Sequence, residues 1–133
     1  MDYVSKSHSK YLLMAHLIFV CKYRKELLIK YGDEIKSIFY DIAEEKGFFI
    51  IEMEADKNHI HILVQYNPMQ SILEIVRWIK QISTYRIWRK NDNYIYLTEH
   101  FWKEKTFWSD GYFACSIGNI SKETIQKYIE SQG

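Results

Sequence analysis

His59 and His61 flank Ile60 in the run Asn58-His59-Ile60-His61-Ile62-Leu63. On a β-strand, side chains at i and i+2 point to the same face, ~6.5–7 Å apart. Two imidazoles projecting together can share one metal ion, while Ile60, Ile62 and Val64 anchor the opposite face in a core. Further along, Tyr128 and Gln132 are spaced i and i+4, one turn apart on one face of a helix. A tyrosine hydroxyl is a poor nucleophile while neutral. It becomes a workable one near a divalent cation that polarises the phosphate it attacks. A glutamine carbonyl oxygen can complete a coordination sphere that two histidines leave unfinished. Two nitrogens and one neutral oxygen, with open positions, suit Mn²⁺ or Mg²⁺ carrying substrate oxygens. Each pair also has a plain structural reading. The histidines can be two polar residues on a strand face, and Tyr128, one of eleven tyrosines, can be an exposed residue of a last helix.

The elements that must hold these residues can be placed coarsely. Leu12 to Val20 alternates as a strand, with Leu13, Ala15, Leu17 and Phe19 on one face. His16 then shares the other face with Leu12, Met14 and Ile18, where a structural role is expected. His8, His16 and His100 are other histidines available to a site, and none of them is read as a ligand. Asp33 is expected to cap a helix that runs to about Lys46 and stops at Gly47, with Ile35, Ile38, Phe39 and Ile42 on its buried face. Phe48 to Met53 reads as a second strand and His59 to Tyr66 as a third, joined by the polar turn Asp56-Lys57-Asn58. A second helix is expected from about Ser71 to Trp88. Residues 91–110 read as aromatic and irregular, with core packing expected for at least half of their rings. Tyr112 to Ile117 reads as a fourth strand, Gly118-Asn119 as a turn, and Ser121 as the cap of a helix bearing Ile125, Tyr128 and Ile129. The predicted fold is α+β and ferredoxin-like (RRM-like). It has the order β-α-β-β-α-β in an antiparallel sheet with helices on one face, plus a C-terminal helix carrying the tyrosine.

Length and composition agree with one domain over residues 1–133. Hydrophobic residues make up 47% and charged residues 26%, which excludes a disordered chain. Five glycines and no GxGxxG or GxxxxGK pattern argue against a phosphate-cradling glycine loop. Cys21 and Cys115 are too few and too far apart for a disulfide framework or a CxxC metal site. The longest apolar stretch, Tyr11 to Cys21, is shorter than the ~18 residues of a membrane span. No cleavable-signal layout precedes it, so a cytoplasmic protein is expected. The net charge of +1 selects no partner, but its distribution is split. Residues 33–56 carry eight acids against two lysines, while residues 75–91 carry Arg77, Lys80, Arg86, Arg89 and Lys90 with no acid. The basic block, with Lys22, Arg24 and Lys25, could meet phosphates in a salt-sensitive way, and the rings around Trp102 and Trp108 could stack on bases. A solvated helix face is the plain alternative.

Taken together, these segments resemble the single-tyrosine HUH transposases of insertion-sequence 200/605 type, where HUH denotes His-hydrophobic-His. The resemblance covers nearly the whole chain. It is carried by His16-Leu17-Ile18-Phe19-Val20 followed by Lys22-Tyr23-Arg24, by Asp56-Lys57-Asn58-His59-Ile60-His61-Ile62-Leu63, and by Ile79-Lys80 with Arg86. It continues through Phe107-Trp108, Gly111-Tyr112-Phe113 and Ser116-Ile117-Gly118 to Lys127-Tyr128-Ile129-Glu130-Ser131-Gln132. It implies a protein that cuts and rejoins single-stranded DNA at the ends of a mobile element. Tyr128 would attack a phosphodiester, leaving a 5′-phosphotyrosine link and a free 3′-OH. His59, His61 and Gln132 would hold the divalent ion, Mg²⁺ or Mn²⁺. Lys22, Arg24, Lys80 and Arg86 are the expected DNA contacts. The family also implies DNA hairpins at element ends as partners, and a homodimer in which the tyrosine helix of one subunit completes the histidine pair of the other.

Two competing functions remain from the residues themselves. One is a ferredoxin-like module that binds single-stranded DNA or hairpins without catalysis, which has no need of His59, Tyr128 and Gln132 together. The other is a metal-dependent hydrolase that uses the two histidines alone and forms no protein–DNA adduct.

Overall fold

The computed structural model describes residues 4–6, 9–116 and 122–132. A short hairpin of β1 (Val4–Lys6) and β2 (Ser9–Tyr11), not expected from the sequence, precedes the main sheet. The chain then runs through β3 (Leu13–Val20), α1 (Leu28–Lys46), β4 (Phe49–Ala55), β5 (His59–Tyr66), α2 (Ile72–Arg89), α3 (Asn91–Phe101), β6 (Phe113–Cys115) and α4 (Lys122–Ser131). The four main strands lie in the antiparallel order β4-β5-β3-β6, which is the ferredoxin-like arrangement.

Strand β3 is central, and its residues are buried on both faces. Ala15, Leu17 and Phe19 join the core formed with α1 and α2, while Ile18 and Val20 form a second cluster on the opposite face. That double burial explains why the segment reads as a nearly unbroken apolar run. β5 follows the alternation expected of it, with Ile60, Ile62 and Val64 fully buried in the main core. Its turn from β4 is closed by a bond from the Asp56 N–H to the His59 carbonyl at 2.9 Å.

Helix α1 starts at Leu28, five residues before the cap expected at Asp33. Leu27, Leu28 and Tyr31 are buried, so the apolar stripe extends back through Gly32, and core packing overrides the local glycine signal. Its end is as expected. Gly47 adopts φ 78°, a left-handed conformation, and its N–H bonds to the Ala43 carbonyl. Ser71 caps α2 in a reciprocal box: the Glu74 N–H donates to Ser71 Oγ and the Ser71 N–H donates to Glu74 Oε1, both at 3.1 Å.

The segment expected to be irregular contains a helix, α3. Its Asn-Asp-Asn start and many rings are poor helix signals, yet Leu97 and Phe101 are buried and Tyr96 meets the edge of Tyr31. Core packing accounts for Phe101, Phe107 and Trp108, whereas Trp102 is exposed. β6 is shorter than the expected Tyr112–Ile117 strand. The turn at Gly118-Asn119, the Ser121 cap and His8 lie outside the described residues.

Residues 107–109 run beside the end of β3. The Lys22 N–H donates to the Phe107 carbonyl and the Ser109 N–H to the Val20 carbonyl, both at 2.8 Å. Trp108 fixes this stretch from within, donating its indole N–H to Ser83 Oγ at 2.9 Å. Ser83 itself donates to the Ile79 carbonyl. Replacing Ser83 by Ala should orphan the buried Trp108 N–H and lower stability by about 1–3 kcal/mol, measured by urea unfolding against the parent.

Candidate active site

The cross-strand register assigns the histidines to the sheet face opposite α1 and α2. His59 pairs with Val20 and His61 with Ile18 across the β5–β3 ladder, so the imidazoles stand beside the second apolar cluster and away from the main core. They line a cleft of about 400 Å³ with Glu54, Asp56, Gln126 and Ile129. Both imidazoles are partly buried, and burial lowers their pKa values below 6.5. For His61 the neighbouring His16 pushes the same way, and Glu54 and Glu52 oppose it. Near neutral pH both rings are therefore uncharged and retain a lone pair for a cation.

Each ring already has one nitrogen engaged. His59 Nδ1 lies 2.9 Å from Asn58 Oδ1, and because that oxygen can only accept, Nδ1 carries the proton and Nε2 keeps the lone pair. His61 Nε2 lies 2.9 Å from His16 Nδ1 across the β3–β5 ladder, with ring centroids 5.1 Å apart. The sequence puts His16 on this face in a structural role and does not single out its contact with His61. That contact depends on register, which alternation alone does not supply. His100 packs against Tyr96 on α3 and lines a separate cleft.

Helix α4 reaches the same sheet face. Ile129 is buried against Ile18 and Val20, with Phe113 and Tyr128 packed alongside. The Tyr128 ring lies 5.8 Å from that of Phe113. Its hydroxyl is buried without a hydrogen bond that satisfies normal geometry, as is the hydroxyl of Ser109. Burial raises the Tyr128 pKa above 10.0, and the Ser109 side chain works in the opposite sense. Tyr128 and Gln132 meet at Gly111: a methyl group there would sit 3.5 Å from Gln132 Oε1 and 3.7 Å from Tyr128 Oη. The one-turn pairing of Tyr128 and Gln132 therefore holds. Within one chain, however, the histidine cleft is lined by Gln126 and Ile129, not by these two residues. Gln126, three residues before Ile129, was not singled out from the sequence, although that spacing puts the two on one helical face.

As to a metal, the donor set suits a divalent ion in part. It offers two neutral imidazoles and the nearby carboxylates of Glu54 and Asp56. Among the described residues, no group of three or more His, Cys, Asp and Glu side chains is arranged to hold a metal alone, so a donor of another type, such as a glutamine amide oxygen, is needed to complete it.

Three of the four cations expected to contact DNA are engaged within the chain. Lys22 pairs with Asp110 at 2.9 Å. Lys80 is half-buried and donates to the carbonyls of Asp110 and Gly111 at 3.0 and 3.2 Å. Arg86 makes a two-pronged contact with Glu45 at 2.9 and 2.7 Å. Arg24 is exposed, on backbone at φ 53°. A second cleft, of about 620 Å³, lies between α2 and residues 105–110, where Lys80, Tyr85, Arg89, Lys105 and Ser109 contribute to its walls. There the Arg89 guanidinium lies 5.2 Å from the centre of the exposed Tyr85 ring.

The four-stranded antiparallel sheet with its helices is a fold shared with solved transposases. The chain aligns with a crystal structure assigned as a transposase from Deinococcus radiodurans R1 at a TM-score of 0.84 and 27% identity, covering 97% of both chains. It also aligns with a REP-associated tyrosine transposase bound to a REP hairpin, at a TM-score of 0.56 and 14% identity, over 98% of this chain and 69% of the other. Residues 9–132 match the family model described as "Transposase IS200 like", and the chain belongs to that family. It is 35% identical over 123 residues to the ISDra2 transposase TnpA of Deinococcus radiodurans, spanning 92% of this chain and 85% of that one. It is 26% identical over 134 residues to the transposase for insertion sequence element IS200 of Salmonella typhimurium, spanning 98% and 84%. Among the described residues, no helix is long and apolar enough to cross a membrane.

The Lys80 contacts hold the 110–111 backbone against which Tyr128 and Gln132 rest. Lys80→Met should lower stability by about 1 kcal/mol, a value discounted for its partial exposure. It should also speed amide hydrogen exchange at residues 109–112, measured by mass spectrometry against the parent.

Proposed function

We propose that this transposase cleaves and rejoins single-stranded DNA at the ends of a mobile element through a 5′-phosphotyrosine link on Tyr128. In cleavage, Tyr128 Oη forms a bond to phosphorus while the P–O3′ bond breaks. The phenolic proton is lost and the departing 3′ oxygen becomes a hydroxyl. In rejoining, a 3′-OH of another strand attacks the same phosphorus and the phenol is restored. One phosphodiester is exchanged for another at each step, so no external energy source is required. Burial keeps Tyr128 a neutral phenol at rest, so its proton must leave during the attack.

His59, His61 and Gln132 would hold Mg²⁺ or Mn²⁺, which when bound draws charge from the scissile phosphate. Gln132 shares its location with Tyr128 beside Gly111, whereas α4 contributes Gln126 and Ile129 to the histidine cleft of its own chain. This supports a homodimer in which α4 of one subunit completes the histidine pair of the other. The solved relative bound to a REP hairpin supports a hairpin as the DNA partner. Lys22, Arg24, Lys80 and Arg86 are read as phosphate contacts, with Arg89 and Lys105 of the second cleft as further ones. The cytoplasm, where element DNA is accessible, is the proposed location.

The observation that carries this reading is the common face: His59 and His61 stand on the side of the sheet against which the Tyr128 helix packs. The test is incubation with Mn²⁺ and labelled single-stranded oligonucleotides bearing hairpins and candidate element ends. A protein–DNA adduct that survives denaturation is expected. Tyr128→Phe should abolish it while leaving hairpin affinity within about threefold, because one oxygen is lost and little shape. His59→Ala and His61→Ala should each lose Mn²⁺-dependent cleavage while keeping the parent's far-UV circular dichroism. An adduct formed by Tyr128→Phe would overturn the assignment of the nucleophile.

A further inference from the structure

Deepening the proposed function, and resting on its reading of His59 and His61 as metal ligands, we infer that His16 is a positioning residue for the metal. It fixes the orientation and tautomer of His61 by accepting the Nε2–H, which leaves Nδ1 of His61 with the lone pair.

The inference starts from a parallel between the two histidines. A ligating imidazole binds through the lone pair of one nitrogen, while its other ring N–H is donated to an acceptor that fixes the ring. His59 already has this arrangement, with Nδ1–H donated to Asn58 Oδ1 at 2.9 Å. His61 has no adjacent asparagine. Its engaged nitrogen is Nε2, and the partner at 2.9 Å is Nδ1 of His16 on the next strand. The pairing is built into the sheet. His61 stands opposite Ile18, so the β3 residue two positions earlier on the same face is His16, at the diagonal spacing that a ring can bridge. His16 is itself partly buried, between Leu63 of β5 and Cys115 of β6 in the register. An apolar side chain there would leave the His61 ring without its partner.

The direction of the bond follows from what each histidine must do. With Nε2 of His61 as donor, the His16 contact and an ion on Nδ1 coexist. With Nε2 as acceptor, the proton of His61 sits on Nδ1 and no nitrogen of that ring is free.

The experiment combines two measurements. First, ¹⁵N-histidine NMR on the metal-free protein reads which nitrogen of His61 carries the proton. Second, Mn²⁺ affinity is measured by calorimetry for the parent, His16→Leu and His16→Asn. The asparagine keeps a polar atom near the position of Nδ1 and serves as the rescue variant; circular dichroism checks that each variant folds. Protonation at Nε2 in the parent is expected, with Mn²⁺ binding weakened about 10–100-fold in His16→Leu and restored to within about threefold of the parent in His16→Asn. Unchanged or tighter Mn²⁺ binding in a folded His16→Leu would overturn the role of His16 while leaving the metal site standing. A proton on Nδ1 would overturn the role of His16 and, with it, ligation by His61 in the observed ring arrangement. A parent that takes up no Mn²⁺ would instead overturn the metal reading itself, and the inference with it. Should His16→Leu fail to fold, the tautomer in the parent and the affinity of His16→Asn decide: a proton on Nδ1 or a 10-fold loss in His16→Asn would still refute it.

Discussion

A one-residue slip of β5 against β3 would drive His59 and His61 into the apolar layer under α1 and α2 and turn Ile60 and Ile62 outward. The site depends on that slip being forbidden. Ile60, Ile62 and Val64 are fully buried, and burial of such side chains is worth ~1.5–3 kcal/mol each, so the wrong register forfeits several kcal/mol at once. β3 is held just as firmly, since Leu17 and Phe19 are sealed on one face and Ile18 and Val20 on the other. The histidines are therefore mounted on the most heavily constrained pair of strands, and the His16–His61 contact is a consequence of the same register.

The tyrosine is mounted differently. α4 has ten residues, too few to be stable as an isolated helix. Among the described side chains, its anchorage to the sheet includes Ile129, which is buried, with Tyr128 and Phe113 packed beside it. The proposed metal-binding half of the site thus belongs to the constrained strand pair, and the proposed nucleophile belongs to a short helix that must dock to be stable. This division suits a reaction in which the tyrosine must carry a DNA end while the scaffold keeps its geometry.

Much of this was legible before the fold was seen, for reasons that can be named. The strand His59–Tyr66 could be bounded to the residue because alternation and polar turns mark both of its ends. α2 could be placed because Ser71 sits just ahead of a long apolar stripe. Properties that depend on distant parts of the chain were not legible. α1 begins early because Leu27, Leu28 and Tyr31 find a core, and α3 forms despite weak local signals because Leu97 and Phe101 do. His16 acquires its partner through register, and Gln126 enters the histidine cleft through the docking of α4. Lys22, Lys80 and Arg86 looked like a free basic surface in the sequence. Their partners Asp110, the 110–111 carbonyls and Glu45 lie 88, 30 and 41 residues away.

The electrostatics of the histidine cleft bear on what can approach it. Its imidazoles are held neutral by burial, and its acidic side chains, Glu54 and Asp56, are exposed. A phosphate entering such a cleft meets like charge. Two unit charges ~6 Å apart repel by about 1–3 kcal/mol for effective dielectric constants between water and a protein surface. The same lining favours a cation on both counts, through lone pairs from the imidazoles and attraction from the acids. A divalent ion would thus offset the negative charge of the cleft as well as supply a Lewis acid, and a polyanionic strand could enter where it is otherwise repelled. On this argument metal and DNA should bind cooperatively at the histidine cleft. Binding of DNA by surfaces remote from it should be far less sensitive to the metal.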